Sequence, residues 1–391
     1  MNNQTIDEFS KKMWDCIVIG AGPAGAIAAR QIAKDNKEVL LVDKEIFPRV
    51  KVCGCCVNSS AVNALETAGL AHILEENGAL PLCTIRLFNK KKNADLALPK
   101  SFSLSREKFD MALINAAVAC GVKFLSGANA KVLSLDVLPA IQIQKDESAP
   151  VLRTKLVIIA DGLSGKSLSL LPQFDPLIKG HSRFGASVIL DRSPDYIEVG
   201  KIYMACGNGG YVGMVVLEDG RLNVAAALSH KFSRQFNGPG AAAVQLLTDN
   251  DLPIPKQLAK THWTGTSLLT RTRLRVAGQR LFVIGDASGY AEPFTGEGIA
   301  WALWSGLSVS SLAIEGIKNW TPHLMKKWHY LQNNLVFCRT RCQIIALILR
   351  NNTLRSLLVN LCAALPMVVD PVVKIISGSN IIDQPFNRGW K

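Results

Sequence analysis

The sequence predicts an α/β fold: a doubly wound sheet that binds a dinucleotide, an antiparallel β substrate domain over it, and a helical C-terminal region. Three observations predict it. An apolar stretch, Trp14 to Ile19, runs into Gly20-Ala21-Gly22-Pro23-Ala24-Gly25 and then into a helical segment. About 260 residues later Leu281 to Ile284 ends in Gly285-Asp286 and leads through Gly296-Glu297-Gly298 into a second long helical segment. Between them lie β-rich runs separated by turn residues, with no second Gly-x-Gly-x-x-Gly before a strand–helix pair.

Each element follows from its residues. Trp14 to Ile19 is a strand, Ala24 to Lys34 a helix, and Val39 to Val42 a second strand ending at Asp43. Ser105 to Cys120 is helical, because Phe109, Leu113, Ala116 and Ala117 recur at spacings of three and four. Leu156 to Ala160 is a buried strand. Between Ser187 and Leu228, the runs Val212 to Leu217 and Leu222 to Leu228 flank Glu218-Asp219-Gly220, the pattern of an antiparallel sheet. Leu281 to Ile284 returns to the parallel sheet and Ile299 to Ile314 is a long helix. Beyond Trp320 the pattern is again helical, with Leu354, Leu357, Leu358 and Leu361 along one stripe. The expected division is a discontinuous dinucleotide-binding domain (1–75, 101–170 and 270–319), a substrate domain (76–100 and 171–269), and a helical region (320–391).

The first glycine cluster has a physical role at each position. Gly20 permits the tight turn out of the strand. Gly22 lets backbone approach a pyrophosphate. Gly25, beside Ala24, lets helix and strand pack closely, and the helix N-terminus then faces the phosphates. Asp43, followed by Lys44, lies 18 residues past Gly25 at the end of the second strand, where a carboxylate can accept from ribose hydroxyls.

Taken together, these motifs resemble the flavoprotein group with a p-hydroxybenzoate hydroxylase-like fold, which includes aromatic hydroxylases, flavin halogenases and geranylgeranyl reductases. The resemblance spans about residues 14 to 320. Gly20 to Gly25 matches the adenine-dinucleotide motif. Ala160-Asp161-Gly162-Leu163-Ser164-Gly165 is similar to the group's Asp-Gly motif. Gly285-Asp286, with Pro293, Gly296, Gly298 and Ile299, is similar to its Gly-Asp motif. The resemblance implies FAD. It also implies that Asp286 holds the ribityl chain, and that the glycine-rich turn presents backbone amides to the pyrimidine end of the ring. Ser105-Arg106-Glu107-Lys108-Phe109-Asp110 resembles the group's Arg-x-x-x-Asp helix start, whose Arg reaches the cofactor, and Phe47-Pro48-Arg49 another flavin-contacting segment.

Lys51-Val52-Cys53-Gly54 and Pro293-Phe294-Thr295-Gly296-Glu297-Gly298-Ile299 resemble the geranylgeranyl reductase branch. That branch implies hydride delivery to carbon–carbon double bonds of a hydrophobic, isoprenoid or polyketide-derived substrate, with Cys53 or Tyr211 as catalytic proton donor. Electrons would come from NAD(P)H or a protein donor. The chain departs from the branch twice. Cys55 and Cys56 stand where the reductases have glycines. On the Tyr-x-Trp-x-Phe-Pro strand the tyrosine is kept as Tyr211, but the tryptophan becomes Gly213 and the proline Val216. A glycine for an indole is expected to widen the substrate cavity or to change what stacks there. The alternatives are monooxygenation of an aromatic or quinone-like ring, and a flavin-binding membrane-surface protein without turnover. A halogenase would need Trp-x-Trp, which does not occur.

Composition narrows the remainder. No run reaches the roughly 18 unbroken apolar residues of a membrane span, although the chain is 48% hydrophobic. Residues 1–12 lack the apolar core of a signal peptide, so a cytoplasmic location, peripheral at the inner membrane surface, is expected. Ten cysteines then read as free thiols, and their spacing with the six histidines forms no metal-ligand pattern. More than half of the net charge of +13 falls after Trp320, where nine Lys or Arg face two Asp. Basic residues mixed with apolar ones point to an anionic membrane surface or an acidic partner, or else to a solvated cationic face on a packed helix; an electron-donor protein is a separate expectation, from the lack of a second dinucleotide motif. The competing expectation is a helical cap burying Leu354, Leu357 and Leu361. With no recognisable binding module or basic–aromatic stripe, no nucleic-acid partner is expected.

Overall fold

The computed structural model describes residues 6–90, 92–292, 294 and 296–364. Five parallel strands form the first sheet, in the order Leu281–Val283, Val151–Ile159, Trp14–Ile19, Val39–Asp43 and Lys123–Ser126. Ala277–Gly278 adds an antiparallel edge, and the hairpin Asn129–Ser134 with Ala140–Gln144 extends antiparallel from Val151–Ile159. The central strands read as continuous apolar runs because both faces are covered: Cys16, Ile17, Val18, Leu40, Leu41, Val157 and Ile158 are all fully buried. The helices Pro23–Ala33 and Gly298–Lys318 cross at close range. A Cβ on Gly306 would stand 2.4 Å from the Ala24 carbonyl oxygen. The helix Arg106–Val118 begins at Ser105, whose hydroxyl accepts from the Lys108 backbone N–H.

The second sheet has eight strands, in the order Thr264–Leu268, Phe184–Leu190, Leu222–Leu228, Gly210–Val216, Lys201–Gly207, Leu80–Asn89, Lys92–Ser103 and Cys56–Val57. Its pairs are antiparallel except Lys201–Gly207 with Leu80–Asn89, the join between two distant segments of chain. The strand Cys56–Val57 belongs to this sheet, through Ser103 and Phe102. The cysteine segment therefore joins the second sheet directly. Alternation divides the faces. Val212, Met214 and Val216 pack under the helix Pro239–Thr248 with Leu246, Leu247 and Trp263. Tyr211 and Val215 point the other way.

A small three-stranded sheet joins Leu177–Ile178, Arg271–Thr272 and Gly289–Tyr290. The C-terminal region is helical as expected as far as Ala364, with helices Pro322–Arg350 and Asn352–Ala364, and residues 365–391 lie outside the described residues. The second lies on the strands Lys92–Ser103 and Leu80–Asn89. Its buried face is Arg355, Val359 and Cys362. Leu354, Leu357 and Leu361 are 46%, 64% and 46% exposed, so the expected cap that buries them is corrected. The reason lies in Arg355. Its guanidinium donates to Asn89 Oδ1 and to the Leu349 carbonyl, both at 2.8 Å, and to Asn352 Oδ1. A buried cation with partners sets the rotation of a helix that has two apolar stripes. Among the described residues, no helix is long and apolar enough to cross a membrane.

Candidate active site

The glycine turn is built as its residues require. Gly20 has φ +107°, and a Cβ there would lie 2.2 Å from the Ala160 carbonyl oxygen. A Cβ on Gly25 would stand 1.8 Å from the Gly20 carbonyl oxygen. Asp43 is buried beneath the turn. Its Oδ2 accepts from the Ala21 N–H at 2.7 Å and its Oδ1 from the Glu45 N–H at 2.9 Å. Lys44 pairs with Glu45 at the surface. Ala24 meets the second motif, since a Cβ on Gly285 would come within 2.9 Å of the Ala24 Cβ. Segments 260 residues apart in sequence thus share one wall.

Arg49 and Arg106 converge on the buried Asp110. Arg106 holds it with two bonds of 2.9 Å, and Arg49 Nη2 lies 3.3 Å from Oδ2. That same Arg49 nitrogen lies 3.7 Å from where a Gly22 Cβ would be, and Arg49 Nε is buried without a hydrogen-bond partner. An unsatisfied guanidinium over a bare glycine fits a phosphoryl oxygen. Lys51 Nζ lies 3.5 Å from the Cβ site of Gly162. Burial lowers the Lys51 pKa, Arg49 and Arg106 push it the same way, and Asp286 and Asp110 oppose them. Burial raises the Asp286 pKa, and Lys51, Arg106, Arg339 and Arg271 all act against that. Asp161, likewise raised by burial, accepts from the Ser167 N–H at 3.0 Å.

The glycine-rich turn lies against the cysteine segment. Gly296 has φ +75°, and its Cβ site is 3.8 Å from the Cys56 Cβ. Gly298 opens the helix to Lys318, Ile299 is buried just inside it, and the Gly298 Cβ site is 3.3 Å from the Tyr290 hydroxyl. Pro293 lies outside the described residues. Glu297, part of the quoted motif but given no role of its own there, is buried at the N-terminus of that helix. Burial pushes its carboxyl up to about 8, with the Asn58 side chain acting against it.

Cys53 Sγ accepts from the Cys55 N–H at 3.4 Å, and the Cys53 carbonyl accepts from Asn223 Nδ2 at 3.0 Å. The Cys55 thiol and then the Arg106 guanidinium hold the Cys53 thiol down at about 5, against the cost of burial. Cys55 is correspondingly raised. It also has φ +55°, a left-handed conformation that favours glycine. Cys56 is pushed up to about 12 by burial. Tyr211 stands edge-on to Phe294, with ring centroids 5.1 Å apart, and near the Arg183 guanidinium. Burial, then Glu292, keeps its phenol protonated. Among the described residues no hydrogen bond joins Cys53 to Tyr211. Tyr290 is the group that feels both of them, and Asp286 as well.

A strip of packed apolar side chains, the apolar lane, covers one face of the second sheet. Cys53, Cys55, Val215 and Leu217 cluster with Ile202, and Ile202 also packs with Met204, Tyr211, Phe294 and the helix residues Leu358, Val359 and Cys362. Of the two expectations at Gly213, a wider cavity or a change in what stacks there, the structure shows the second. Met204 Sδ lies 2.8 Å from the Gly213 Cβ site, so a thioether on the neighbouring strand fills the space an indole would take. Glu292 is a further group that sequence reading missed. It is buried between Arg183 and Arg350, each 2.8 Å away, and ties the end of the helix Pro322–Arg350 to the arginine beside Tyr211. Its only sequence signal is its place between two motifs, since its partners are 109 and 58 residues distant.

Comparison with known proteins adds a family, two relatives and two solved structures. A family model described as FAD binding domain matches residues 13–305. Digeranylgeranylglycerophospholipid reductase 1 of Methanopyrus kandleri is 25% identical over 330 residues, 78% of this chain and 81% of that protein. Menaquinone reductase of Mycolicibacterium smegmatis is 25% identical over 337 residues, 77% of this chain and 76% of that protein. Among solved structures, a geranylgeranyl bacteriochlorophyll reductase-like protein from Thermoplasma acidophilum superposes with TM-score 0.76 at 19% identity, covering 95% of this chain and 98% of that one. The flavin-dependent brominase Bmp2 gives 0.78 at 14% identity, covering 97% and 96%.

Proposed function

Because the chain belongs to the FAD-binding domain family, with the p-hydroxybenzoate hydroxylase-like flavoprotein fold, we propose that it is an FAD-dependent reductase of carbon–carbon double bonds in a prenylated lipid. One observation supports this reading above the others: the apolar lane that leads from Cys53 to the C-terminal helix. Such a lane suits a long hydrocarbon chain better than a compact polar ring. The names of the matched relatives, reductases of digeranylgeranylglycerophospholipid and of menaquinone, point to prenyl chains on quite different headgroups. Recognition would then lie in the chain itself.

Gly20, Gly22 and Gly25 would seat the pyrophosphate at the N-terminus of the Pro23–Ala33 helix, with Arg49 Nε as the added donor. Asp43 would hold ribose hydroxyls and Asp286 the ribityl chain. Backbone amides from Gly296 to Ile299 would favour negative charge at the pyrimidine end. When bound, FAD supplies the hydride that the substrate carbon receives. The chain's own part is to dry the lane, orient the double bond and manage a proton. Cys53 and Cys55 share that proton. Cys53 holds the negative charge beside Arg106, and Cys55 retains the hydrogen. Cys53, held as the thiolate, carries no proton of its own to give, so a proton for the substrate carbon would have to pass from Cys55 to Cys53 Sγ first.

The outward leucines Leu354, Leu357 and Leu361, with Ile344 and Leu347 on the preceding helix, form an apolar exterior on the far side of the lane. In a strongly basic C-terminal region, they would rest on an anionic bilayer and admit a lipid without passage through water. The decisive experiment is anaerobic. Reduced holoenzyme is mixed with geranylgeranylated lipid and flavin re-oxidation is followed. Re-oxidation without oxygen, with a saturated product, supports the reductase. A strict requirement for oxygen would establish a monooxygenase, and no substrate-dependent re-oxidation under either condition a binding protein without turnover.

A further inference from the structure

Three thiols stand within four residues, at Cys53, Cys55 and Cys56, and all three are free. The reductase-like motif accounts for Cys53 alone, and the other two are departures from it. The backbone sorts their side chains. Cys55, at φ +55°, turns the chain back on itself. Its N–H meets Cys53 Sγ at 3.4 Å, and its own Sγ lies 3.9 Å from the Cys53 carbonyl oxygen. The Cys55 thiol also hydrogen-bonds the Cys53 sulfur, so the two sulfurs are in contact. Cys56 is directed elsewhere. Its Sγ donates to the Gly54 carbonyl at 3.1 Å, and the residue opens the strand Cys56–Val57. From this arrangement we propose that Cys53 and Cys55 are a peroxide-sensitive modification site: a hydroperoxide converts the pair, reversibly, into an intramolecular disulfide that excludes Cys56.

Reversible thiol oxidation needs an ionised sulfur that reacts and a second thiol that resolves it. Cys53 is half-buried, within reach of a small peroxide, and is held as the thiolate by the Cys55 thiol and then by Arg106. Its sulfur attacks one peroxide oxygen. The O–O bond breaks, hydroxide leaves and takes up a proton from solvent, and Cys53 becomes a sulfenic acid. That step discharges the Cys53 thiolate, which is the main reason that Cys55 keeps its proton. The Cys55 sulfur then attacks the sulfenic sulfur. The S–O bond breaks, the Cys55 proton leaves with the hydroxyl group as water, and the S–S bond forms. The two sulfurs together lose two electrons, and the peroxide is reduced to water. The segment can close. Its ends are anchored, the Cys53 carbonyl by Asn223 Nδ2 at 3.0 Å and the Cys55 carbonyl by the Leu104 N–H at 3.1 Å. Gly54 between them has nothing within 4 Å of its Cβ site. The rotation that brings two sulfurs to about 2.0 Å therefore falls on one unhindered residue. One consequence rests on the function proposed above: closure removes both the charged sulfur and the proton-bearing one, and stops turnover while flavin stays bound.

The test treats flavin-loaded protein with hydrogen peroxide near neutral pH, blocks the remaining thiols with iodoacetamide, and weighs the peptide that carries residues 53–56. The expected product has lost two hydrogens and carries one blocked thiol, that of Cys56, where the untreated peptide carries three. Dithiothreitol should restore all three. Cys53 should be consumed about tenfold faster than the exposed Cys83, because an unassisted thiol is only a few per cent ionised at neutral pH. In Cys56→Ser the disulfide should still form. In Cys55→Ser it should not, and dimedone should trap Cys53 as the sulfenic acid. A disulfide that persists in Cys55→Ser or is lost in Cys56→Ser overturns the proposal. So does oxidation of Cys53 directly to sulfinic acid, or a Cys53 that outlasts Cys83. Each readout is a peptide mass and is independent of turnover. A missing disulfide leaves the reductase reading intact, and a disulfide in a protein that reduces no lipid leaves the peroxide site intact.

Discussion

The Cys55 backbone N–H points at Cys53 Sγ from 3.4 Å, from a residue held at φ +55°. That single relationship joins a conformational cost to a chemical effect. A β-carbon in the left-handed region costs about 1–2 kcal/mol, and the thiol it carries stabilises the negative sulfur beside it.

Replacing Cys55 by Gly separates the two. The glycine relieves the backbone and keeps the N–H donor, but the thiol that most lowers Cys53 is gone. The Cys53 titration should move up from about 5, with Arg106 still holding it below the ordinary thiol range. Ultraviolet thiolate absorbance against pH, read as a difference from Cys53→Ser, measures the midpoint. An unmoved midpoint would show that Arg106 alone sets it.

Glu297 gives stability a pH dependence. Its folded pKa, about 8, lies above the ordinary carboxyl value of 4.5, so its contribution is complete below pH 4.5 and is lost as pH rises through 8. At about 1.4 kcal/mol per unit, the difference across this window is on the order of 5 kcal/mol. Glu297→Gln should remove that slope and raise the melting temperature above pH 8, measured at constant flavin saturation. Parallel pH profiles for the two proteins would falsify it.

Met204 occupies the space beside Gly213. Met204→Ala should cost roughly 2–5 kcal/mol in denaturant unfolding, as for other core truncations, and should open the lane to a bulkier substrate. Gly213→Ala acts in the reverse sense, forcing the thioether aside. If Met204→Ala leaves both stability and chain-length preference unchanged, the sulfur is not what shapes the lane.

The parallel sheet was legible because its signals are local. Gly20, Gly25 and Gly285 each answer a close approach that only a missing Cβ allows, and such positions stand out in a sequence. The strands at Val212 and Leu222 were legible from alternation and from the turn between them. What was not legible is pairwise and distant. Met204 compensates for Gly213 across a strand pair, Glu292 needs Arg183 and Arg350, and Tyr290 becomes important only once Asp286, Cys53 and Tyr211 surround it. The helix at Leu354 shows the limit most clearly. Periodicity identified a helix with an apolar stripe, but a second stripe at Val359 and Cys362 took the core, because Arg355 beside it found its partners there.

The outward stripe then has a measurable consequence. Leu354, Leu357 and Leu361 are about half exposed and touch little of the protein, so Leu→Gln at all three should change folding stability by no more than about 0.5 kcal/mol per site. A bilayer would notice the change. Completing the burial of a half-exposed leucine is worth about 1 kcal/mol, and three together change a partition coefficient by roughly a hundredfold. Sedimentation with anionic vesicles should show that loss for the triple variant. High salt should weaken the parent protein less, because it screens the basic residues and leaves the leucines untouched. Turnover on a short, detergent-dispersed prenyl substrate should persist, since the lane itself is intact. Equal vesicle binding by the two proteins would assign the exposed stripe to some contact other than a membrane.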